Sequence, residues 1–300
     1  MTTAPRSPLP APRILLTGAR GQVGWELRRT LASLGEVVAL DSRTLNLADA
    51  DAVRRTVREI APAIIVNPAA HTAVDKAESE QGLAHAVNAI APGILAEEAS
   101  RLDSLLVHYS TDYVFNGSGT TPWREDDACD PLNVYGASKL AGERAIAASG
   151  CRHLIFRTSW VYAARGSNFL LTMSRLMRER PELKIVADQI GAPTWCRDLA
   201  ESTALILSQV SACGFDQWGV YHMSNGGETS WHGFAEAIQA LDEFDETCAP
   251  ARLLPIPSSD YPTPARRPLN SRLNNDRLAQ VFGLRLQDWR AALALCMDER

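Results

Sequence analysis

From Arg13 onward, short apolar runs alternate with longer stretches in which apolar positions recur every three or four residues. The short runs read as buried strands and the longer period as amphipathic helices. Residues 13–17 predict a first strand, 22–34 a helix, 37–40 a second strand ending at Asp41, 49–60 a helix and 63–66 a third strand. A long helix over about 77–102, a fourth strand over 105–109, a helix over 133–148 and a fifth strand over 153–157 follow. This order predicts an α/β chain, a doubly wound parallel sheet with crossover helices.

After Trp160 the pattern changes. Helices near 168–179 and 198–208 alternate with short strands at 184–186 and 220–222 and with a proline-rich passage over 250–268. The expected division is a disordered leader over 1–12, a first domain over 13–161 completed by elements near 198–223, and a smaller carboxyl-terminal lobe over 162–300, interleaved with the last sheet elements. A cleft between the two falls at the carboxyl ends of the strands, where open α/β sheets bind ligands.

Composition narrows the chemistry. Three hundred residues with 46% hydrophobic content can bury a substantial core. Thirty basic against 35 acidic residues leave a net charge of -5, with no basic face for nucleic acid or membrane, so a small-molecule partner is expected. Cys129, Cys151, Cys196, Cys213, Cys248 and Cys296 show no CxxC spacing, which points to reduced thiols in the cytoplasm rather than a zinc site or disulfide framework. No run reaches the roughly 18 apolar residues of a membrane span, and the amino terminus lacks the apolar stretch of a secretory signal.

Gly18-Ala19-Arg20-Gly21-Gln22-Val23-Gly24 follows the first strand and opens the first helix. Glycines let the backbone approach a pyrophosphate, and the helix amino terminus presents N–H groups to it, so residues 13–161 read as a Rossmann-type dinucleotide-binding domain. Asp41, at the end of the second strand, suits a ribose hydroxyl; Arg43 beside it could accommodate a 2′-phosphate, which leaves NADH and NADPH both open. Asn46 and Leu47 join this cofactor set, as do Ala69, Ala70, His71 and Thr72 after the third strand. For His71 a structural role is at least as strong as a chemical one. Tyr135 and Lys139 share one helix face at i and i+4, where a cation lowers the pKa of a phenol and readies it for proton transfer. Ser110-Thr111-Asp112-Tyr113 places a hydroxyl at the same sheet edge, and Asn88 is a candidate anchor for a link to Lys139.

Together these pieces resemble the extended short-chain dehydrogenase/reductase superfamily. Less generic stretches, 65–78, 108–115, 131–136, 157–162, 191–194 and 267–273, are similar to the dTDP-4-dehydrorhamnose reductases, and the similarity runs from about Arg13 nearly to the carboxyl terminus. The resemblance implies reduction of dTDP-4-dehydro-β-L-rhamnose at C4 by NADPH or NADH, the last step of dTDP-L-rhamnose synthesis for surface polysaccharide. It implies Tyr135 as proton donor, Lys139 as ribose ligand and Thr111 as the hydroxyl that tunes Tyr135. Gly18, Gly21, Gln22, Val23 and Gly24 would hold the pyrophosphate, and Asp41 the adenosine ribose. Thr111, Asp112, Tyr113, Trp160 and Asn168 would meet the sugar, with Arg267, Asn270 and Arg272 on the nucleotide diphosphate. Some relatives are magnesium-assisted dimers with glutamates at the subunit contact. Glu26 matches one such position, but 194–198 departs from the acidic pattern, so no firm metal ligand is assigned and a monomer or homodimer is expected.

Two rivals remain: a nucleotide-sugar epimerase or dehydratase of the same superfamily, which recycles its cofactor, and a non-catalytic nucleotide-sensing regulatory subunit. Stoichiometric consumption of NADPH separates the first; the joint presence of Thr111, Tyr135 and Lys139 argues against the second.

Overall fold

The computed structural model describes residues 11–211, 214–244 and 250–300. The leader expected over 1–12 lies outside them except for Ala11 and Pro12, as do Cys213 and Cys248; the four remaining cysteines are free.

Six parallel strands form the central sheet. The strands β1 (Arg13–Leu16), β2 (Glu36–Ala39), β3 (Ile64–Asn67), β4 (Leu105–Thr111) and β5 (His153–Thr158) are joined by Gly219–His222, and their order across the sheet is β2-β1-β3-β4-β5 and then Gly219–His222. Every pair is parallel, with Leu15 opposite both Val38 and Ile65, Ile65 opposite Leu106, and Val107 opposite Leu154. The chain winds outward in opposite directions from β1 and β3, which opens a crevice at their carboxyl ends.

Strand alternation feeds two cores. Ile14 and Leu16 pack with Leu27 of α1 (Gln22–Thr30) and Leu199 and Leu207 of the Cys196–Val210 helix. Leu15, between them in sequence, faces Val53 and Val57 of α2 (Ala50–Ile60), Leu95 and Ile146 on the other side. A third core gathers Tyr162, Leu170, Met177, Phe234 and Trp289 around the parallel pair Glu182–Val186 and Arg252–Ile256.

The long helix expected over 77–102 is broken. Val74–Ala77 and Gln81–His85 are short helical pieces, Ala86–Ile90 widens into a π-turn, and only Ala91–Leu102 runs as a regular helix. Pro92 has no N–H, and its ring would press on the carbonyl of residue 88, so the turn before it opens. Against that turn lies the Val134–Ala148 helix, capped by Asn133, whose side chain accepts from the Gly136 N–H at 2.8 Å.

A Cβ at Gly142 of that helix would sit 2.2 Å from the Asn88 carbonyl oxygen, a backbone atom that cannot swing aside. Gly142→Ala is therefore expected to force the helix outward and to lower stability by about 2 kcal/mol or more in urea denaturation, despite the better helix propensity of alanine.

Candidate active site

A cleft of about 600 Å³ opens over the carboxyl ends of β1 to β5. Its floor begins at the glycine turn. Gly18 holds φ at +57°, and a Cβ there would meet Ala69 at 2.9 Å. Gly21 caps α1 without a side-chain acceptor, so the first helical N–H groups remain open to an anion. Gly18, Gly21, Gln22 and Val23 line the cleft, while Gly24 acts one layer below, where a Cβ would strike the Gly18 carbonyl oxygen at 2.1 Å. Asp41, Asn46, Leu47, Ala69, Ala70, His71 and Thr72 also line it.

Arg43 does not take the place expected of it. Its backbone N–H donates to Asp41 Oδ1 at 2.9 Å, and the side chain is exposed away from the cleft. Arg20 lines the cleft, with Nε 3.6 Å from Asp41 Oδ2. Backbone donation from Arg43 and Thr44 holds the Asp41 carboxyl below its ordinary range. The clue was present in the sequence, since Arg20 is the basic residue inside the glycine turn itself.

Lys139 and Tyr135 reach the cleft from the Val134–Ala148 helix, and β4 delivers Ser110 beside them. Strand β4 extends two residues beyond the expected run, which fixes Ser110 and Thr111 in extended backbone. Thr111 donates to Asp112 Oδ1 at 3.0 Å and accepts from the Tyr113 N–H at 3.1 Å. The Tyr113 ring packs edge-on to Tyr135 with centroids 5.5 Å apart.

The electrostatics differ from the spacing argument. Burial pushes the Tyr135 phenol up to about 12, with the Thr111 hydrogen bond opposing and the Asp112 charge adding to the rise. Lys139 does not offset this, because its ammonium is engaged elsewhere: Nζ donates to the Tyr109 carbonyl at 2.5 Å and lies 3.1 Å from His108 Nε2. Burial pushes Lys139 down to about 8. The phenol is thus held protonated, as an acid. Burial also raises the Asp112 carboxyl to about 6, and its Oδ2 has no hydrogen-bond partner.

Asn88 makes no direct side-chain hydrogen bond to Lys139. Its Oδ1 accepts from the His71 N–H at 2.8 Å, and its Nδ2 donates to the His71 carbonyl and to Ser138 Oγ. It therefore pins the turn after β3. The His71 ring is tied through Nε2 to Glu80 at 2.8 Å, in keeping with a structural role for that side chain.

A nicotinamide dinucleotide fits this cleft on two counts. The glycine cradle leaves no room for side chains at Gly18, and the buried hydroxyls of Ser110 and Thr158, both lining the cleft, lack any partner in the protein. Both lie in stretches with distinctive sequence, 108–115 and 157–162, but neither was singled out as a site residue.

The expected substrate residues divide. Arg267 lines a second cavity of about 700 Å³, with Arg180, Lys184 and Gln189 among its polar groups and Phe169 and Trp231 on its apolar wall; it also pairs with Asp75 at 2.7 Å. Trp160 stacks on Trp231 with centroids 3.7 Å apart. Asn168, Asn270 and Arg272 line neither cavity. Asn168 caps the Phe169–Glu179 helix and donates to Gln22 Oε1. Asn270, buried to 1% exposure, donates to the Thr121 carbonyl and accepts from Arg272. Arg272 pairs with Glu228 at 2.6 Å. The two asparagines hold loops by bonding nearby backbone carbonyls, and the Arg272 guanidinium is held by the Glu228 carboxylate and the Asn270 side chain.

Glu26 does not fit a divalent ion. Its Oε2 accepts from Arg29 and from Arg197, each at 3.2 Å, and Arg197 also pairs with Glu299. Among the described residues no three His, Cys, Asp or Glu side chains converge as metal ligands.

Comparison with known proteins identifies a family. The family model described as "RmlD substrate binding domain" matches residues 12–300. A dTDP-4-dehydrorhamnose reductase of Burkholderia thailandensis is 52% identical over 96% of this chain and 98% of its own length. The Escherichia coli K12 protein of the same name is 47% identical over 95% and 97%. A crystal structure of dTDP-4-dehydrorhamnose reductase from Bacillus anthracis in complex with NADP superposes with a TM-score of 0.88 at 35% identity, covering 96% of this chain and 99% of that one. On these matches the chain belongs to the dTDP-4-dehydrorhamnose reductases, the family described by the RmlD substrate binding domain.

Proposed function

We propose that this protein reduces dTDP-4-dehydro-β-L-rhamnose at C4 to dTDP-β-L-rhamnose with NADPH or NADH, the last step of dTDP-L-rhamnose synthesis for surface polysaccharide. The convergence of Tyr135, Lys139 and the partnerless hydroxyls of Ser110 and Thr158 in the cleft above the glycine turn carries this reading. When bound, the dinucleotide supplies the hydride. Tyr135 donates its proton to O4 as the carbonyl becomes an alcohol, and Thr111 aligns that oxygen with the phenol. Lys139 donates to the Tyr109 carbonyl, lies 3.1 Å from His108 Nε2 and lines the cleft. There its charge stabilises the phenolate left by proton transfer. Asp112 accepts from a neighbouring sugar hydroxyl through its unpartnered Oδ2.

The second cavity suits the nucleotide. Arg180, Lys184 and Arg267 offer cations to a diphosphate beside the Phe169 and Trp231 rings, which suit a base, so remote binding energy fixes the ketone near Tyr135. Free Cys129, Cys151, Cys196 and Cys296 accord with a reducing compartment, and the protein is assigned to the cytoplasm as a monomer or homodimer. No described helix is long and apolar enough to cross a membrane.

The direct test is absorbance at the reduced-nicotinamide band with the purified ketosugar. One NADPH or NADH oxidised per sugar is expected; catalysis without net oxidation would turn the assignment to an epimerase. Tyr135→Phe should lower kcat by about 10²- to 10⁴-fold with the dissociation constant for NADPH nearly unchanged. Arg20→Ala should raise KM for NADPH by about tenfold while that for NADH hardly moves, since only the former carries a 2′-phosphate for the guanidinium.

Asp112→Asn separates activity from stability. In the folded chain the carboxyl holds its proton up to about pH 6, against an ordinary value of 3.8, so the protein loses stability as pH rises through that window. The variant should turn over at least about tenfold more slowly, yet gain about 2 kcal/mol in denaturation above pH 6. That gain should vanish as pH falls below the ordinary carboxylate value.

A further inference from the structure

Lys139 ends a buried polar row that no step above uses. Thr17 Oγ1 lies 2.5 Å from Asn67 Oδ1, Asn67 Nδ2 lies 3.1 Å from His108 Nδ1, and His108 Nε2 lies 3.1 Å from Lys139 Nζ. All four residues are at most 1% exposed, so water does not replace any link. We propose that His108 is a positioning residue for the reduction: its tautomer, set by the Asn67 amide, decides whether Lys139 stands as an amine or as an ammonium. This rests on the assignment of Tyr135 and Lys139 as the reducing pair.

Hydrogen-bond direction couples the four groups. Each link needs one donor and one acceptor. Burial holds His108 well below its ordinary value, so the ring is neutral and carries a single N–H. In the orientation described, Thr17 donates to the Asn67 oxygen and the Asn67 amide donates to His108 Nδ1. The ring proton then sits on Nε2 and points at Lys139 Nζ, which can accept it only as an amine. A half-turn of the Asn67 amide reverses the row. Lys139 then donates to a bare Nε2 as an ammonium, His108 Nδ1–H donates to Asn67, and the amide donates to Thr17. The Thr17 hydroxyl proton is released toward the cleft, which Thr17 lines. An acceptor bound there favours the ammonium direction: as the imidazole proton passes from Nε2 to Nδ1, the Lys139 amine takes up one proton from solvent through the cleft it lines, and cofactor binding is thereby coupled to the charging of Lys139.

The other groups around Lys139 do not set its charge by themselves. Glu143, one turn further along the helix, is engaged by Arg157 of β5 at 2.7 Å, both side chains 5% exposed. From β4 come only His108 and the Tyr109 carbonyl, the Tyr109 hydroxyl being bound to Thr203. Asn88 and Ser138, on the side of the π-turn, are neutral. Tyr135, a turn earlier, keeps its proton.

The test compares full-length protein with His108→Phe and His108→Gln. Turnover of the unaltered enzyme should fall above about pH 8 as Lys139 loses its proton. Removing the acceptor in His108→Phe should move that alkaline limb of kcat/KM down by at least about one pH unit, a tenfold loss at a fixed alkaline pH. His108→Gln, whose amide oxygen can replace Nε2, should restore the limb. Equal loss at every pH, or an unmoved limb, would overturn the proposal. Nitrogen-15 NMR of histidine-labelled protein gives a readout that needs neither turnover nor a folded phenylalanine variant, with the His108 signal assigned by its loss in His108→Gln. Addition of NADP⁺ should move the His108 proton from Nε2 to Nδ1; an unchanged tautomer would count equally against it. If Tyr135→Phe retained turnover, the reductive assignment itself would fail. If that variant is inactive and the limb stays, only the role of His108 falls.

Discussion

The close seating of the Val134–Ala148 helix on the sheet is the constraint from which the site follows. Two glycines permit it. A side chain at Gly136 would collide with the Tyr113 carbonyl oxygen and one at Gly142 with that of Asn88, at 2.1 and 2.2 Å. With the helix that near, Tyr135 packs edge-on to Tyr113, and Lys139 passes beneath the surface to the Tyr109 carbonyl and His108. Both shifted ionisations have the same origin, since burial penalises whichever form carries charge. A looser helix would leave an ordinary lysine and an ordinary phenol at the same spacing in sequence.

That dependence explains how much was legible beforehand. Alternating apolar runs located all six strands, because strands of a parallel sheet are buried on both faces and leave a strong signal. The glycine turn, Tyr135 and Lys139 also reached one cleft as expected. What failed was electrostatic and local. A helix-face argument makes Lys139 the neighbour that acidifies Tyr135; the fold gives its N–H groups closer acceptors and lets desolvation dominate. Arg43 looked suitable by separation from Asp41, yet Arg20 is nearer in space because the glycine turn folds back over the end of β2. Asn168, Asn270 and Arg272 have the chemistry of ligands, but in the fold their polar groups are engaged within the protein, the asparagines by backbone carbonyls and Arg272 by Glu228 and Asn270. Pro92 was readable as a helix breaker, but the widened turn that brings Asn88 to His71 required the packed Val134–Ala148 helix to specify it.

The interior carries more charge than packing alone would favour. Glu143 and Arg157 form a hydrogen-bonded pair behind Lys139, and Asp112 keeps one oxygen unpartnered in a site where burial favours its neutral form. Replacing such groups by apolar side chains of similar volume is often neutral or stabilising. Their presence beside Tyr135 is accounted for by what they prepare: an acid that stays protonated, a cation near it, and a carboxyl able to accept from a hydroxyl. Tolerated strain of this kind collects at functional sites.

Trp160 extends the same logic across the cleft. It follows β5, holds φ at +47°, a conformation unusual for a bulky residue, and is locked by Thr194 donating to its carbonyl. Its ring lies so near Gly191 that a Cβ there would come within 2.8 Å, and its other face stacks on Trp231. Trp231 in turn lines the second cavity beside Phe169. One strained residue therefore joins the end of the sheet, where the reacting oxygen is held, to the wall of the cavity that suits the nucleotide. A relaxed φ would carry the indole away from Trp231 and uncouple the two, so the strain is maintained by the stacking that gives the site its continuity.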